Sequence, residues 1–249
     1  MEVDKSSRRD IALEEQRRAW NQWNARAVSG GPRSLREWAE IERHLQAVGR
    51  RNLRILEVGC GTGWLAERLA DYGVLTATDL SDEVLPEVRK KLPLVDFRAG
   101  DFFQMELPPR SYDVVVTQHV LAHVLDQGAF IARMANLLVE GGRMILVTQN
   151  RPVLERWSVI PGPHPGQLRR WVNARELRRL VRPHCKDMKI TSVLPAGDQG
   201  LLRLINSHRL NRVLQLALRP DTILRAKERA GIGQSLILCA TRQRAGDPT

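Results

Sequence analysis

The residues best able to do chemistry follow an apolar run that ends in an acid. Residues 53–58 carry Glu57 near their end, and glycines follow at the alternate positions 59, 61 and 63. An amphipathic segment then begins at Leu65, so the stretch predicts a strand, a tight turn and a helix. Glycines in such a turn allow positive φ and let a ligand approach the backbone closely. We therefore expect a ligand beyond the carboxyl end of this strand.

The spacing of the glycines narrows the class of ligand. A dinucleotide fingerprint places its third glycine one position later, where this chain has Trp64. No Lys-Ser or Lys-Thr pair follows the turn, which argues against a phosphate-binding loop. The turn is thus predicted to bind a ligand whose recognition does not depend on pyrophosphate.

A second acid ends the next predicted strand, and its separation from the glycine turn along the chain is informative. Asp79 ends the apolar run over 73–79 and lies 20 residues after Gly59, the separation of a ribose-binding carboxylate from a glycine turn. Such a carboxylate can accept hydrogen bonds from both ribose hydroxyls. The alternative is a helix N-cap, a role that the sequence assigns to Ser81 at the start of a helix over 82–91.

The pattern Glu57-x-Gly59-x-Gly61-x-Gly63 resembles the first motif of class I S-adenosylmethionine (SAM)-dependent methyltransferases. The resemblance covers about 53–194 and 235–241 and implies SAM as cofactor, S-adenosylhomocysteine as product and no metal. It also implies that Asp101 binds the adenine amine and that Phe102 packs on the adenine ring, although an Asx-turn aspartate and a core phenylalanine would read the same way. The expected cofactor contacts are Glu57, Gly59, Cys60, Gly61, Gly63, Asp79, Leu80, Asp101, Phe102, Gln118, His119 and Trp23.

Three histidines are candidates for the base that takes a proton from the methyl acceptor. His119 follows the fourth predicted strand directly, His123 comes one helical turn later, and His164 lies in a proline-rich segment. Histidine can accept a proton near neutral pH. His119 is preferred by its position, His123 also fits the local helix-start scaffold, and a mechanism without a protein base stays open.

These residues must be held by an α/β domain. Alternating apolar strands and amphipathic helices predict a Rossmann-like, doubly wound, seven-stranded and mostly parallel sheet over 51–249. We expect helices at 127–138, 173–180 and 200–218, a Gly-Gly turn at 140–143 and a loop at 150–168. Residues 196–233 form a predicted helical insertion before the last strand, which we interpret as a substrate cap with a wall of Leu201, Leu202, Leu204 and Ile205.

Two helices precede the sheet, at about 8–27 and from an N-cap at Ser34, with Glu37 three residues on, to about Gly49. The resemblance implies that residues 1–50 form a helical lid over the cofactor. Trp20, Trp23 and Trp38 lie on these helices, and simple packing is a slightly better account of each of them taken alone.

Composition limits the acceptor. The formal net charge is +11 and the pI near 10.5, which suggests a nucleic-acid partner, but only six of the 39 basic residues are lysine and the arginines are scattered. The expected acceptor is therefore a small molecule, and the resemblance to the O-methyltransferases of quinone and secondary-metabolite biosynthesis implies methylation at oxygen. Its rivals are an RNA methyltransferase and a non-catalytic SAM-binding module. Three separated cysteines and the absence of an apolar leader or spanning segment predict a cytoplasmic protein, and the sequence leaves its oligomeric state open.

Overall fold

The computed structural model describes residues 5–25, 30–163 and 167–244. Its centre is one sheet of seven strands. These strands are β1 (Leu53–Val58), β2 (Gly73–Asp79), β3 (Asp96–Ala99), β4 (Tyr112–Gln118), β5 (Leu138–Gln149), β6 (Cys185–Pro195) and β7 (Gly233–Arg242). The predicted strand count and fold class are confirmed.

The strand order is β3-β2-β1-β4-β5-β7-β6. The first five strands run parallel, and β7 runs antiparallel to both of its neighbours. It follows that β6 runs in the same direction as β5. The carboxyl ends of every strand except β7 therefore meet at one edge of the sheet, which is where open α/β sheets bind ligands.

The alternation of side chains along the strands builds a core on each face of the sheet. In β1, Leu56 and Val58 belong to one buried cluster, whereas Leu53 and Ile55 belong to the other. Successive side chains of a strand point to opposite faces, so a strand buried on both faces reads as a continuous apolar run.

Helices cover both faces and the ligand edge. They are α1 (Lys5–Asn24), α2 (Pro32–Gln46), α3 (Trp64–Leu69), α4 (Leu85–Lys91), α5 (Gln127–Leu137), α6 (Arg151–Trp157), α7 (Ala174–Val181), α8 (Gly200–Ile205), α9 (His208–Leu214) and α10 (Pro220–Arg229). Asn173 caps α7 with a complete capping box, as its position predicts.

Helix α1 is tied to the loop after β2. Asn21 donates to Asp82 at 3.2 Å, and its amide oxygen accepts from the buried Ser81 hydroxyl at 2.5 Å. Arg17 pairs with Asp82 at 2.9 Å. These bonds hold α1 over the carboxyl ends of the central strands. Ser81 therefore is not the N-cap of α4, which begins only at Leu85.

Two other helices begin at residues that differ from the predictions, and a proline in the first turn explains both. Helix α2 begins at Pro32 with Gly31 as its N-cap, not at Ser34. The predicted loop at 150–168 opens with α6, which has Pro152 in its first turn. Proline fits the first turn of a helix because its φ is already helical and its missing N–H has no partner to lose there.

Two expectations about chain breaks were also wrong. The Gly-Gly turn at 140–143 lies inside β5, where the pairing with β4 shifts its register, and a bulge of this kind takes up extra residues within a strand. The helix expected at 200–218 is divided into α8 and α9, because Ser207 starts a new helix by accepting a hydrogen bond from the Leu210 N–H.

Candidate active site

A cavity of about 580 Å³ opens at the carboxyl ends of β1, β2 and β4. Its floor is the glycine turn and its cover is α1, which contributes Trp20, Trp23 and Asn24. Trp171 and Arg169 line it on another side. This volume lies within the range of small-molecule sites.

The glycine turn has a backbone that only glycine fits easily. Gly59 has φ +81°, and a Cβ built on it would lie 2.2 Å from Val120 Cγ2. Gly63 has φ +77° and precedes α3, and a Cβ there would lie 2.3 Å from Val88 Cγ1. Gly61, at φ +49°, faces Asn24 of α1. Gly59 and Gly61 line the cavity, whereas Gly63 is needed for packing behind it.

Glu57 places a buried carboxyl group in the cavity wall. Its side chain is 1% exposed, and Oε2 has no hydrogen-bond partner among the described residues. Burial, with a smaller contribution from the nearby Asp79, raises the pKa of Glu57 to about 8. The group is therefore protonated at neutral pH and has unused hydrogen-bonding capacity. Cys60 beside it is buried, and burial keeps the pKa of its thiol well above its usual range.

Asp79 closes the glycine turn from the neighbouring strand. One carboxylate oxygen accepts from the Gly61 N–H at 2.7 Å, and the other accepts from the Ser81 N–H at 2.8 Å. Burial raises the pKa of Asp79, and these backbone donors oppose the rise. A carboxylate has about four acceptor positions, so Asp79 can still accept a hydrogen bond from a ligand hydroxyl.

Asp101 and Phe102 line the cavity at the carboxyl side of β3. Asp101 accepts from the Phe103 N–H at 2.9 Å, which is an Asx turn. Phe102 packs edge-on against Phe130 with ring centroids 5.3 Å apart. Both residues thus satisfy a structural role and a ligand-facing position at once.

His119 is held by a buried carboxylate that comes from α2. Its Nε2 lies 3.0 Å from both oxygens of Glu37, which is 1% exposed. A carboxylate only accepts hydrogen bonds, so the proton of the neutral imidazole lies on Nε2. Nδ1 then carries the lone pair, and it is buried without a partner among the described residues.

Glu37 also gathers two other polar groups at this edge. It accepts from Gln118 Nε2 at 2.7 Å and from the Ser235 hydroxyl at 2.6 Å. Burial alone would raise its pKa, but the adjacent His119, the Ser235 hydrogen bond and Arg33 lower the pKa to about 2. Glu37 is consequently a fixed negative charge that orients the side chains at the end of β4.

The backbone of His119 is itself unusual, with φ +62°. A non-glycine residue in the left-handed region costs on the order of 1 kcal/mol, and such residues concentrate at functional sites. The conformation turns the chain at the end of β4, where the His119 N–H bonds to Val147 O at 2.8 Å. It places the imidazole in the cavity wall.

His123 also lines the cavity but is tied to the backbone. Its Nδ1 donates to the Leu168 carbonyl at 2.6 Å, and Trp20 packs on its ring with centroids 4.7 Å apart. Burial lowers the pKa of His123, which favours the neutral ring. The third candidate, His164, lies outside the described residues.

The cavity brings together most of the residues predicted from the sequence. The predicted residues that line it are Glu57, Gly59, Cys60, Gly61, Asp79, Leu80, Asp101, Phe102, Gln118, His119, His123 and Trp23. The insertion does not supply the expected acceptor wall: Leu201 and Leu204 are exposed, and residues 196–233 are not among those that line the cavity.

Sequence reasoning missed the role of Glu37, which it treated only as part of a helix start. A usable signal was present, because Glu37, Ile41 and Leu45 follow at intervals of four on one face of α2. An acid on the buried stripe of an amphipathic helix needs a partner, and here the partner is at the active-site edge.

Comparison with known proteins agrees with this arrangement. A family model described as a methyltransferase domain matches residues 56–146. Residues 56–146 of this chain therefore resemble a methyltransferase domain.

Among curated relatives of this chain, a probable SAM-dependent methyltransferase from Mycolicibacterium smegmatis is 36% identical over 39% of this chain and 38% of its own length. A ubiquinone biosynthesis O-methyltransferase from Rhodopseudomonas palustris is 35% identical over 40% of this chain and 41% of its own length. The chain thus spans about two fifths of the relatives it matches. The N-methyltransferase NodS from Bradyrhizobium japonicum, solved with S-adenosylhomocysteine, shares the fold with a TM-score of 0.65 and 14% identity, over 93% of this chain and 100% of its own.

The geometry of the cavity fits SAM, the cofactor that the resemblance implies. The glycine backbone clears the floor, and Glu57 Oε2 is an unused polar atom in the wall. Among the residues that the structure describes, no group of three or more His, Cys, Asp or Glu is placed to hold a metal ion. Within the same residues, no helix combines the length and apolar character needed to cross a membrane.

Proposed function

We propose that this protein transfers a methyl group from SAM to a hydroxyl oxygen of a small molecule. The observation that carries the proposal is the pair formed by His119 and the buried Glu37 at the cavity wall. A hydroxyl acceptor must lose its proton as its oxygen bonds to carbon, and a base in the wall serves that need. A neutral amine already has a free lone pair and needs such a base less.

SAM supplies, when bound, an electrophilic methyl group and a neutral thioether as leaving group. Asp79, Glu57 and the glycine turn are the residues proposed to hold it. The His119 Nδ1 lone pair takes the acceptor proton, and the Glu37 carboxylate stabilises the imidazolium that results. Alignment of the two reactants supplies much of the remaining acceleration.

The cover of the cavity supports a small acceptor. Trp20 and Trp23 of α1 join Trp171 around the space, and apolar walls with few polar groups are typical of small-molecule sites. We propose that residues 1–50 act as a lid, which admits the acceptor and then excludes water. A larger acceptor such as RNA would have to displace this cover.

The test measures transfer of labelled methyl from SAM to matched pairs of aromatic alcohols and amines. We expect label on the hydroxyl compounds. His119→Asn keeps a residue that tolerates positive φ and removes the base, so turnover should fall by on the order of 10²–10⁴, with SAM affinity nearly unchanged in calorimetry.

Two further variants separate catalysis from folding. Glu37→Gln keeps hydrogen bonding but removes the charge that stabilises the imidazolium, so turnover should fall while SAM affinity stays nearly unchanged. Ser235→Ala removes a different partner of Glu37 and should keep most of the turnover. The proposal would be contradicted by label on amines, by label on added RNA or by full turnover in His119→Asn. SAM binding without any labelled product in a cell extract would instead indicate a non-catalytic SAM-binding module.

A further inference from the structure

Exposed apolar and basic side chains alternate along the helical insertion. Six large apolar side chains between residues 201 and 218 are exposed, from Leu210 at 39% to Leu216 at 86%. They are Leu201, Leu204, Leu210, Val213, Leu216 and Leu218, and we call them the leucine surface. Among the described residues they make up half of the twelve large apolar side chains that are exposed. Exposed apolar residues concentrated in this way mark an interaction site.

Positive charge is interleaved with this leucine surface. Four arginines lie between Gly200 and Pro220, and that stretch contains no aspartate or glutamate. They are Arg203, Arg209, Arg212 and Arg219, all exposed. None of them pairs with a carboxylate within the part of the chain that the structure describes. The local charge is therefore available to a partner.

Buried side chains, an ion pair and a hydrogen bond hold the helices that carry the leucine surface in place. Leu202 and Ile223 are buried against the domain. Glu228 of α10 is buried and paired with Arg36 of α2 at 2.5 Å. Lys227 donates to Asn211 at 2.7 Å, which ties α10 to α9. The exposed leucines therefore lie on the outer side of helices whose other apolar side chains, Leu202 and Ile223, are already buried.

The geometry points to a docking surface for a membrane that contains anionic lipids. Basic residues attract the negative headgroups, and leucines that enter the boundary between headgroups and acyl chains add apolar burial. An RNA partner would use the arginines but gain little from the leucines. A second copy of this surface would bring two unpaired sets of arginines together, which opposes self-association. This inference stands apart from the proposed methyl transfer.

The insertion begins at the same edge of the sheet as the cavity, so membrane docking would affect access to the cavity. It follows the carboxyl end of β6, which runs parallel to β5. The leucine surface therefore extends from the same edge of the sheet as the cavity. Docking would bring that edge close to the bilayer surface, where an amphiphilic acceptor would be concentrated.

The test is flotation of the full chain with vesicles of phosphatidylcholine alone and with vesicles of equal parts phosphatidylcholine and phosphatidylglycerol. We expect binding to the anionic vesicles that weakens in high salt. Arg209→Gln with Arg212→Gln should weaken it about 25-fold, because one basic residue near such a surface contributes about fivefold. Leu204→Ser with Val213→Ser should weaken it at least tenfold, since two apolar insertions are lost.

Matched controls use exposed apolar residues elsewhere, Leu94 at 96% and Val74 at 70%. Leu94→Ser with Val74→Ser should leave vesicle binding unchanged, and circular dichroism melts should show that every variant folds. The inference is overturned if anionic vesicles do not bind, or if the leucine variants bind them as the wild type does. It is also overturned if those variants instead dissociate a dimer in analytical ultracentrifugation, or if the arginines matter only for binding to an RNA oligonucleotide.

Discussion

Glu57 makes the stability of this protein depend on pH in a way that a single substitution should abolish. The folded state raises the pKa of this carboxyl from 4.5 to about 8. Between these two values the unfolded chain releases the proton and the folded chain keeps it. The folded state therefore binds more protons, and stability must fall as pH rises through this window. Glu57→Gln removes the titration while keeping the size and neutrality of the protonated side chain.

The size of the effect follows from the two pKa values. Each pH unit inside the window costs about 1.4 kcal/mol of unfolding free energy. From pH 4.5 to pH 7 the loss accumulates to about 3 kcal/mol, which is a large part of the stability of an ordinary domain. The side chain is 1% exposed, so solvent does not screen the penalty. Relative to the wild type, Glu57→Gln should become more stable by this amount between pH 4.5 and pH 7.

Urea unfolding at half-unit steps of pH measures this difference directly in the protein without SAM. The same Glu57→Gln protein should bind SAM more weakly in calorimetry, since the polar atom in the cavity wall changes from an acid to an amide. A difference between Glu57→Gln and the wild type that does not change with pH would refute the reasoning.

Three other substitutions test separate parts of the structure. Gly63→Ala should lower the unfolding free energy, measured with urea, by about 2–4 kcal/mol because of left-handed strain and overpacking against Val88. Adding Val88→Ala should restore part of this stability. A Gly63→Ala protein as stable as the wild type would contradict the close approach of position 63 to Val88. Asp113→Asn should cost about 1–3 kcal/mol at pH 7, because buried Asp113 accepts from the Arg54 N–H at 2.8 Å. Burial would raise the pKa of Asp113, but Arg54 holds it below its usual value of 3.8. The difference in unfolding free energy between the wild type and Asp113→Asn should therefore shrink as the pH falls below about 4. A difference that persists at lower pH would be inconsistent with the ion pair. Asp79→Ala should weaken SAM binding by about 1.5–3 kcal/mol in calorimetry, and a folded variant with unchanged affinity would sink the assignment of Asp79.

The parts of the fold that depend on a repeating pattern were predictable from the sequence. Both faces of the sheet are buried, so β1, β4 and β5 read as continuous apolar runs, and the glycines mark where the chain must turn at positive φ. Helix starts were less predictable, since Pro32 and Pro152 were taken as signs of a loop although the first turn of a helix accepts proline.

The residues around the glycine turn were predictable for a related reason. Its residues belong to local turns at the ends of adjacent strands, so their spacing along the chain reflects their positions in space. Glu37 is different, because it meets His119 and Ser235 from 82 and 198 residues away. Such a contact depends on how α2 crosses the sheet, and no local pattern encodes that. Only the acid on an otherwise buried stripe of α2 hinted at it.

Two glutamates at this site show how partners decide the charge of equally buried groups. Glu37 and Glu57 are each 1% exposed, yet their pKa values lie at about 2 and about 8. Glu37 faces His119, Ser235 and Arg33 and stays ionised, whereas Glu57 faces Asp79 and keeps its proton. Their contributions to stability are therefore opposite: that of Glu37 is present above about pH 4.5 and is lost as pH falls toward 2, and that of Glu57 is lost as pH rises toward 8. One group keeps a negative charge beside the proposed base, and the other is a neutral polar group at the proposed cofactor site, so one edge of the cavity holds an ionised and a protonated carboxyl group near neutral pH.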